Sequence, residues 1–287
     1  MGEDPNKEPL DHRKPTILAF HGSGSNVFCH RVQLARLNQK INKEFNIYYV
    51  QGTCHHHYFY MYFAIPIPPQ NSILEVDIKL TRQAPFRSPA GPGILPYFEG
   101  CGPYYRWVHT PVSISEMAKG TSSNALAPEV EILVRSIVLK IRSAGGRVVG
   151  LLGFSQGTKV VAGLLRASEL RDKTCAETEY LDFAFGISIC GSFAPPLFPQ
   201  SVAGLVRAEG RVEELKGKIC IPTFHVLGNQ DQWKWAGKTL IEGYFEEDEG
   251  LSVVREWEQG HVHPVQKEDN DELARWMVTT MKKAGAQ

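Results

Sequence analysis

Apolar and polar positions along the chain follow two different periods. TILAF (16 to 20) and NIYYV (46 to 50) are short, nearly continuous apolar runs that predict strands, and between them VQLARLNQKI carries apolar residues at helical spacing. That is a β-α-β rhythm. A longer helix is predicted through Val130, Leu133, Val134, Ile137, Val138 and Ile141, closed by Gly145 and Gly146, whose lack of a Cβ suits a helix stop. RVVGLLGFSQGTKVVAGLL then passes from a buried run straight into a helical pattern. FAFGISI (183 to 189), PTFHVLG (222 to 228) and SVVREW (252 to 257) predict later strands, with helical patterns around Ala236 to Phe245 and Asp271 to Lys283. Strands separated by helices predict an α/β fold, a mostly parallel sheet with helices on both faces.

No repeat or linker divides this pattern, so a single domain is expected over residues 16 to 283. The preceding residues 1 to 15 are polar and proline-punctuated, a flexible lead without the apolar run of a signal peptide. One stretch does not fit the rhythm. TCHHHYFYMYFAIPIPPQ (53 to 70) sets three histidines beside a cysteine and then a crowd of aromatics and prolines. Adjacent histidines on an extended chain point alternately to opposite faces, which argues against a tetrahedral metal site. Its apolar part falls short of the roughly 20 residues that span a bilayer.

Charge narrows the partners. With 31 basic and 31 acidic residues the chain has no net charge to draw it to nucleic acid or an anionic membrane, which leaves a small molecule or a protein. Six cysteines (Cys29, Cys54, Cys101, Cys175, Cys190 and Cys220) are scattered without a C-x-x-C pair, so no disulfide framework or zinc ribbon is indicated. A reducing, cytoplasmic setting is expected.

The chemistry concentrates at Gly153-Phe154-Ser155-Gln156-Gly157. Placed between a buried strand and a helix, G-x-S-x-G is the pattern of a nucleophile elbow, where a sharp turn lifts the serine hydroxyl above the sheet. A serine needs a base, and the base needs an orienting acid. In this fold both follow the serine in the chain. Of the three histidines after residue 155, His225 lies inside an apolar strand and reads as a core residue, whereas GHVHP places His261 and His263 on a loop. His261, directly after Gly260, is the expected base, with His263 as the fallback. Asp231, just beyond the strand PTFHVLG, is the expected acid, while Glu246 to Glu249 read as a solvated turn. The oxyanion is expected to be held by the backbone N–H groups of Gln156 and of Ser23, the latter in the small-residue loop AFHGSGSN (19 to 26). No cofactor and no metal are called for.

FHGSGSN, GPGILPYFEGCGPYYRW (91 to 107), LGFSQG, ISICGSFAP, IPTFHVLGNQD and GHVHP together resemble the fungal "family serine hydrolase" group of α/β-hydrolases, over about residues 16 to 280. The resemblance implies the α/β-hydrolase fold, the triad Ser155, Asp231 and His261, and hydrolysis of an ester or thioester. It further implies a thioesterase or esterase of fungal polyketide biosynthesis, acting on a small-molecule acyl ester or on a thioester held by the acyl carrier domain of a polyketide synthase. Tyr104, Tyr105 and Trp107 would then line an acyl pocket. A general carboxylesterase, an acyltransferase on the same triad, and a non-catalytic binding protein that keeps the fold are the alternatives. Compared with that group, residues 53 to 84 are an insertion, read either as a lid or as a translated intron whose removal would join Gly52 to Pro85 as QGPFRSPAGPG.

Overall fold

The computed structural model describes residues 10 to 51, 86 to 172, 175, 177 to 248 and 250 to 285. The insertion expected at 53 to 84, with its histidine run, lies outside the described residues. Six parallel strands form the main sheet: β1 (Thr16–Phe20), β2 (Asn46–Tyr49), β5 (Val148–Phe154), β6 (Phe185–Ile189), β7 (Thr223–Gly228) and β8 (Ser252–Trp257). Their spatial order is β2-β1-β5-β6-β7-β8. From β1 the chain first builds outward to β2, then crosses to β1's other side to lay down β5. The order therefore reverses between β1 and β5, and the crevice beyond their carboxyl ends is where ligands bind in open parallel sheets.

Strand periodicity sorts the core into two layers. Along β1, Ile17 and Ala19 belong to one apolar cluster, and Leu18 and Phe20 to the other. The first cluster is covered by Leu37 and Ile41 of α2 (Ala35–Ile41) and by Leu273 and Met277 of α8 (Lys267–Gly285). The second is covered by α4 (Pro128–Ser143), α5 (Gly157–Leu170), α6 (Gln200–Ala208) and Leu240 of α7 (Lys234–Tyr244). Five of the six apolar positions that predicted α4 are buried, and Leu133 packs at the margin of that cluster. Pro128 opens α4, Glu129 and Glu131 lie in its first turn and Lys140 and Arg142 in its last, each sign matched to the helix dipole.

The helix predicted over VQLARLNQKI is two short helices. α1 (Val27–Gln33) begins earlier, capped by the Asn26 side chain on the Cys29 amide at 2.9 Å, and the chain breaks at Leu34 before α2 resumes. Leu34 is buried in the core with φ −88 and ψ 1, while its amide still donates to His30 O at 2.9 Å and its carbonyl accepts from the Asn38 amide at 2.8 Å. A small antiparallel pair, β3 (Phe86–Ser88) and β4 (Tyr104–Arg106), and a short helix α3 (Ile114–Lys119) carry no periodic signal in the sequence. Residues 11 and 14, in the expected flexible lead, accept hydrogen bonds through their carbonyls from the Asn46 side chain.

Candidate active site

Every residue of β5 is buried up to Phe154, and the chain then turns sharply into α5. Ser155, at that turn, has φ +48, in the left-handed region that a non-glycine residue occupies only under constraint. The constraint is visible on both sides: its amide donates to Ile189 O at 3.0 Å, and its carbonyl accepts from the Thr158 amide and, at 2.6 Å, from the Thr158 hydroxyl. The two glycines of the motif are dictated by contact. A Cβ at Gly153 would lie 2.7 Å from the carbonyl carbon of Gly157, and one at Gly157 would lie 2.2 Å from the carbonyl oxygen of Phe20. The start of α5 is thus pressed against β5 and β1, and Ser155 is left half-buried at the sheet edge.

Two loops from the far half of the sheet reach the same edge. Asp231 follows β7, and His261 follows β8; His261 Nδ1 and Asp231 Oδ2 are 2.8 Å apart. The other carboxylate oxygen accepts the Trp233 amide at 2.8 Å, so the acid is fixed at both ends. Burial raises the Asp231 pKa, but the hydrogen bond and charge of His261, the Trp233 amide and the neighbouring Cys190 thiol outweigh it and leave it below its ordinary value. Asp231 is therefore ionised at neutral pH, and the proton on His261 Nδ1 points at it, leaving Nε2 as the basic nitrogen. The imidazole lies between the rings of Trp233, at 4.8 Å, and Phe154, at 5.1 Å. Phe154 is the residue before the serine.

The competing groups fall elsewhere. His225 is fully buried mid-strand against the Phe245 ring, as its apolar setting predicts. His263 is buried and stacked on Phe154 at 4.3 Å, and burial holds its pKa down to about 3, so it stays neutral and away from solvent. Glu246, Glu247 and Asp248 are exposed. Cys190, which sequence reasoning passed over, closes the acid–base pair from behind. It sits at the end of β6 with φ +48, and its thiol donates to Val262 O at 3.4 Å. Cys190, Asp231 and His261 offer the one close grouping of His, Cys and carboxylate ligand atoms among the described residues. Two of the three are already hydrogen-bonded to each other.

The loop after β1 passes beside the elbow: a Cβ on Gly22 would meet Ser155 Cβ at 3.2 Å. Ser23 is partly exposed there, and among the described residues neither its amide nor that of Gln156 has an acceptor. The loop is held by the later segment. Gly24 N donates to Tyr105 O at 2.7 Å, Tyr105 N donates back to Ser25 O at 2.7 Å, and Gly91 N donates to Gly24 O at 2.9 Å. Tyr104 is half-buried with its hydroxyl on Phe98 O, Tyr105 is buried in this brace, and Trp107 is wholly buried with its indole N–H on His21 O at 2.7 Å. Trp107 lines a cavity of about 360 Å³ to which Tyr104 and Tyr105 do not contribute.

A serine on a strained strand-to-helix turn, at the switch point of a parallel sheet and at the same edge as a paired histidine and carboxylate, defines an α/β-hydrolase. Residues 11 to 273 match the serine hydrolase (FSH1) family, and the chain belongs to it. It is an ester-hydrolysing enzyme of that family. Relatives include the esterase FUS5 of Gibberella moniliformis, 26% identical over 91% of this chain and 84% of that protein. The thioesterase FSL2 of Gibberella zeae is 25% identical over 91% of this chain and 90% of its own length. The esterase mlcF of Penicillium citrinum is 22% identical over 81% and 77%. Among solved structures, Arabidopsis thaliana SOBER1 superposes over 93% of this chain and 99% of its own with a TM-score of 0.46 and 14% identity. No helix among the described residues is long and apolar enough to cross a membrane.

Proposed function

We propose that Ser155, His261 and Asp231 are the catalytic triad of an esterase or thioesterase. In this reading Ser155 attacks the acyl carbonyl as His261 Nε2 takes its proton, and the buried Asp231 carboxylate stabilises the imidazolium. The amides of Ser23 and Gln156 receive the oxyanion. His261 then returns the proton to the departing alkoxide or thiolate, and water, activated by the same histidine, releases the acid from the acyl-enzyme. The single observation that carries the reading is the 2.8 Å His261–Asp231 pair at the same sheet edge as a serine at φ +48, the imidazole 5.1 Å from the ring of the preceding Phe154.

The substrate we infer is a small-molecule acyl ester or thioester of fungal polyketide metabolism, free or on an acyl carrier domain. Resemblance in GPGILPYFEGCGPYYRW and the esterase and thioesterase names of the relatives support it. A cytoplasmic location is supported by the five described cysteines, all unpaired. A fluorophosphonate probe tests the triad. It should label the wild type at Ser155 and leave Ser155→Ala unlabelled; a folded wild type that resists the probe would sink the proposal. Comparing N-acetylcysteamine thioesters with the matching ethyl esters then ranks the leaving groups.

A further inference from the structure

The helix that follows Ser155 carries a charged side chain that is almost wholly buried. Lys159, four residues after Ser155, is 1% exposed. Its ammonium donates to Ser122 Oγ at 3.1 Å and lies 3.8 Å from the centre of the Phe193 ring. Among the described residues no carboxylate pairs with it. Three N–H donors thus meet one oxygen acceptor and an aromatic face, an arrangement that is costly for a buried cation. Burial accordingly lowers the Lys159 pKa to about 7.

Lys159 also forms part of the wall of the cavity of about 360 Å³. Apolar side chains including Trp107, Val112, Leu126 and Pro128 line it, with Thr121, Ser123 and Gln200 among its neutral polar groups and Ser122 beside the ammonium. The other titratable groups lining it are His109 and Glu116, and both are exposed and engaged. His109 stacks on Phe86 at 3.7 Å and faces Glu129 at 3.8 Å, while Glu116 accepts the Ser113 amide and hydroxyl in a capping box. The cavity therefore offers one lysine cation with unused donors, hydroxyls from Ser122, Ser123, Thr110 and Thr121, and apolar wall from Trp107, Val112 and Leu126. Phosphate, a dianion without an apolar body, matches neither the single charge nor those walls.

We infer that this cavity binds the carboxylate of an organic acid with an apolar body, the carboxylate held by Lys159 and Ser122 and the body packed on Trp107, Val112 and Leu126. A carboxylate supplies the missing acceptors and counter-charge in one step. Trp107 joins the cavity to the proposed hydrolytic site, its amide on the Gln156 side chain and its indole on His21 O. Two sources share this chemistry: a free acid, such as a product of ester hydrolysis, and the distal carboxylate of an acyl substrate.

Calorimetric titration of the full chain with octanoate, and in parallel with octanol, tests the inference. Octanoate should bind at least about tenfold more tightly than octanol, because only it pairs with the ammonium. Its affinity should weaken as pH rises above about 7 and Lys159 in the unliganded protein loses its proton. Lys159→Met should lose at least about tenfold in octanoate affinity, and Ser122→Ala a smaller factor. Equal binding of octanoate and octanol by the wild type would overturn the proposal without recourse to any variant, as would undiminished octanoate affinity in a folded Lys159→Met protein. With binding established, competitive inhibition of p-nitrophenyl butyrate hydrolysis assigns the site to the acyl path, and any other pattern assigns it to a separate free acid. Failure of all ester hydrolysis would count against the triad and leave the binding result standing.

Discussion

The side-chain oxygen of Gln156 accepts the backbone amide of Trp107 at 2.7 Å. Gln156 follows Ser155, the proposed nucleophile, and Trp107 follows the short strand β4, 49 positions earlier. On its other side Trp107 donates its indole N–H to His21 O at 2.7 Å, at the start of the loop that carries Ser23. One buried residue thus ties together the two backbone segments proposed to hold the oxyanion. Its ring packs edge-on against Phe20 at 5.3 Å, which anchors the tie to the end of β1.

Trp107→Phe keeps most of that packing but removes the indole donor, leaving His21 O buried without its partner. A stability loss of about 1–3 kcal/mol is expected from urea denaturation. If the Ser23 amide holds the oxyanion as proposed, displacing its loop should lower kcat more than it raises KM. A rise in KM with kcat unchanged would place Trp107 in substrate binding instead.

Asp231→Asn preserves the shape of the acid but supplies an amide where the imidazole needs an acceptor. A drop in kcat/KM of roughly 10³- to 10⁴-fold is expected. The stability consequence has a defined sign. With a folded pKa below its unfolded value, ionised Asp231 stabilises the protein above the unfolded value near pH 3.9, and that contribution disappears as pH falls through the folded one. Denaturation curves between pH 3 and 5 should therefore be less pH-dependent in the variant.

Buried histidines set a second acid limit. Burial holds His21 at about 4, His225 and His263 at about 3, and His30 well below its ordinary value. The unfolded chain takes up these protons below about pH 6.5 and the folded chain does not, so stability is fullest above that value and declines as pH falls. Among the described residues neither ring nitrogen of His225 has a hydrogen-bond partner. Removing it with His225→Leu should flatten the decline by about 1.4 kcal/mol per pH unit between pH 4 and 6. An unchanged slope would show that His225 takes up no proton on unfolding.

Gly157→Ala inserts a methyl group 2.2 Å from Phe20 O, where backbone opposes it and no flexible side chain can yield. A loss of about 3 kcal/mol is expected in thermal or chemical unfolding. Gly204→Ala is the control: nothing lies within 4 Å of its added Cβ, and it sits inside α6, where alanine favours the helix.

Strands β1, β2, β5, β6, β7 and β8 and helices α4, α5, α7 and α8 were legible because their apolar residues follow strand or helix spacing, although β8 has no buried residue. The triad candidates were legible for a related reason. A serine on a sharp turn demands glycines beside it, and in this fold chain order restricts the base and acid to the loops that follow. The break at Leu34 was not legible, since no glycine, proline or other helix-stopping residue marks it. Nor was the brace of Gly24 by Tyr105 and Gly91: backbone amides and carbonyls carry no side-chain signature, and the partners are far apart in the chain.

The sequence by itself determined the α/β class, the elbow at Ser155 and the short menu of histidines and acids from which a base pair could be drawn. Only the tertiary structure decided that His261 meets Asp231 while His263 stacks on Phe154, that Trp107 is a buried tie, and that Lys159 is a buried cation in the wall of a cavity. The physical reason is one of range. Periodicity and turn chemistry act between residues a few positions apart, whereas the partner, dielectric surroundings and solvent access of a side chain depend on which distant segments the folded sheet brings to it.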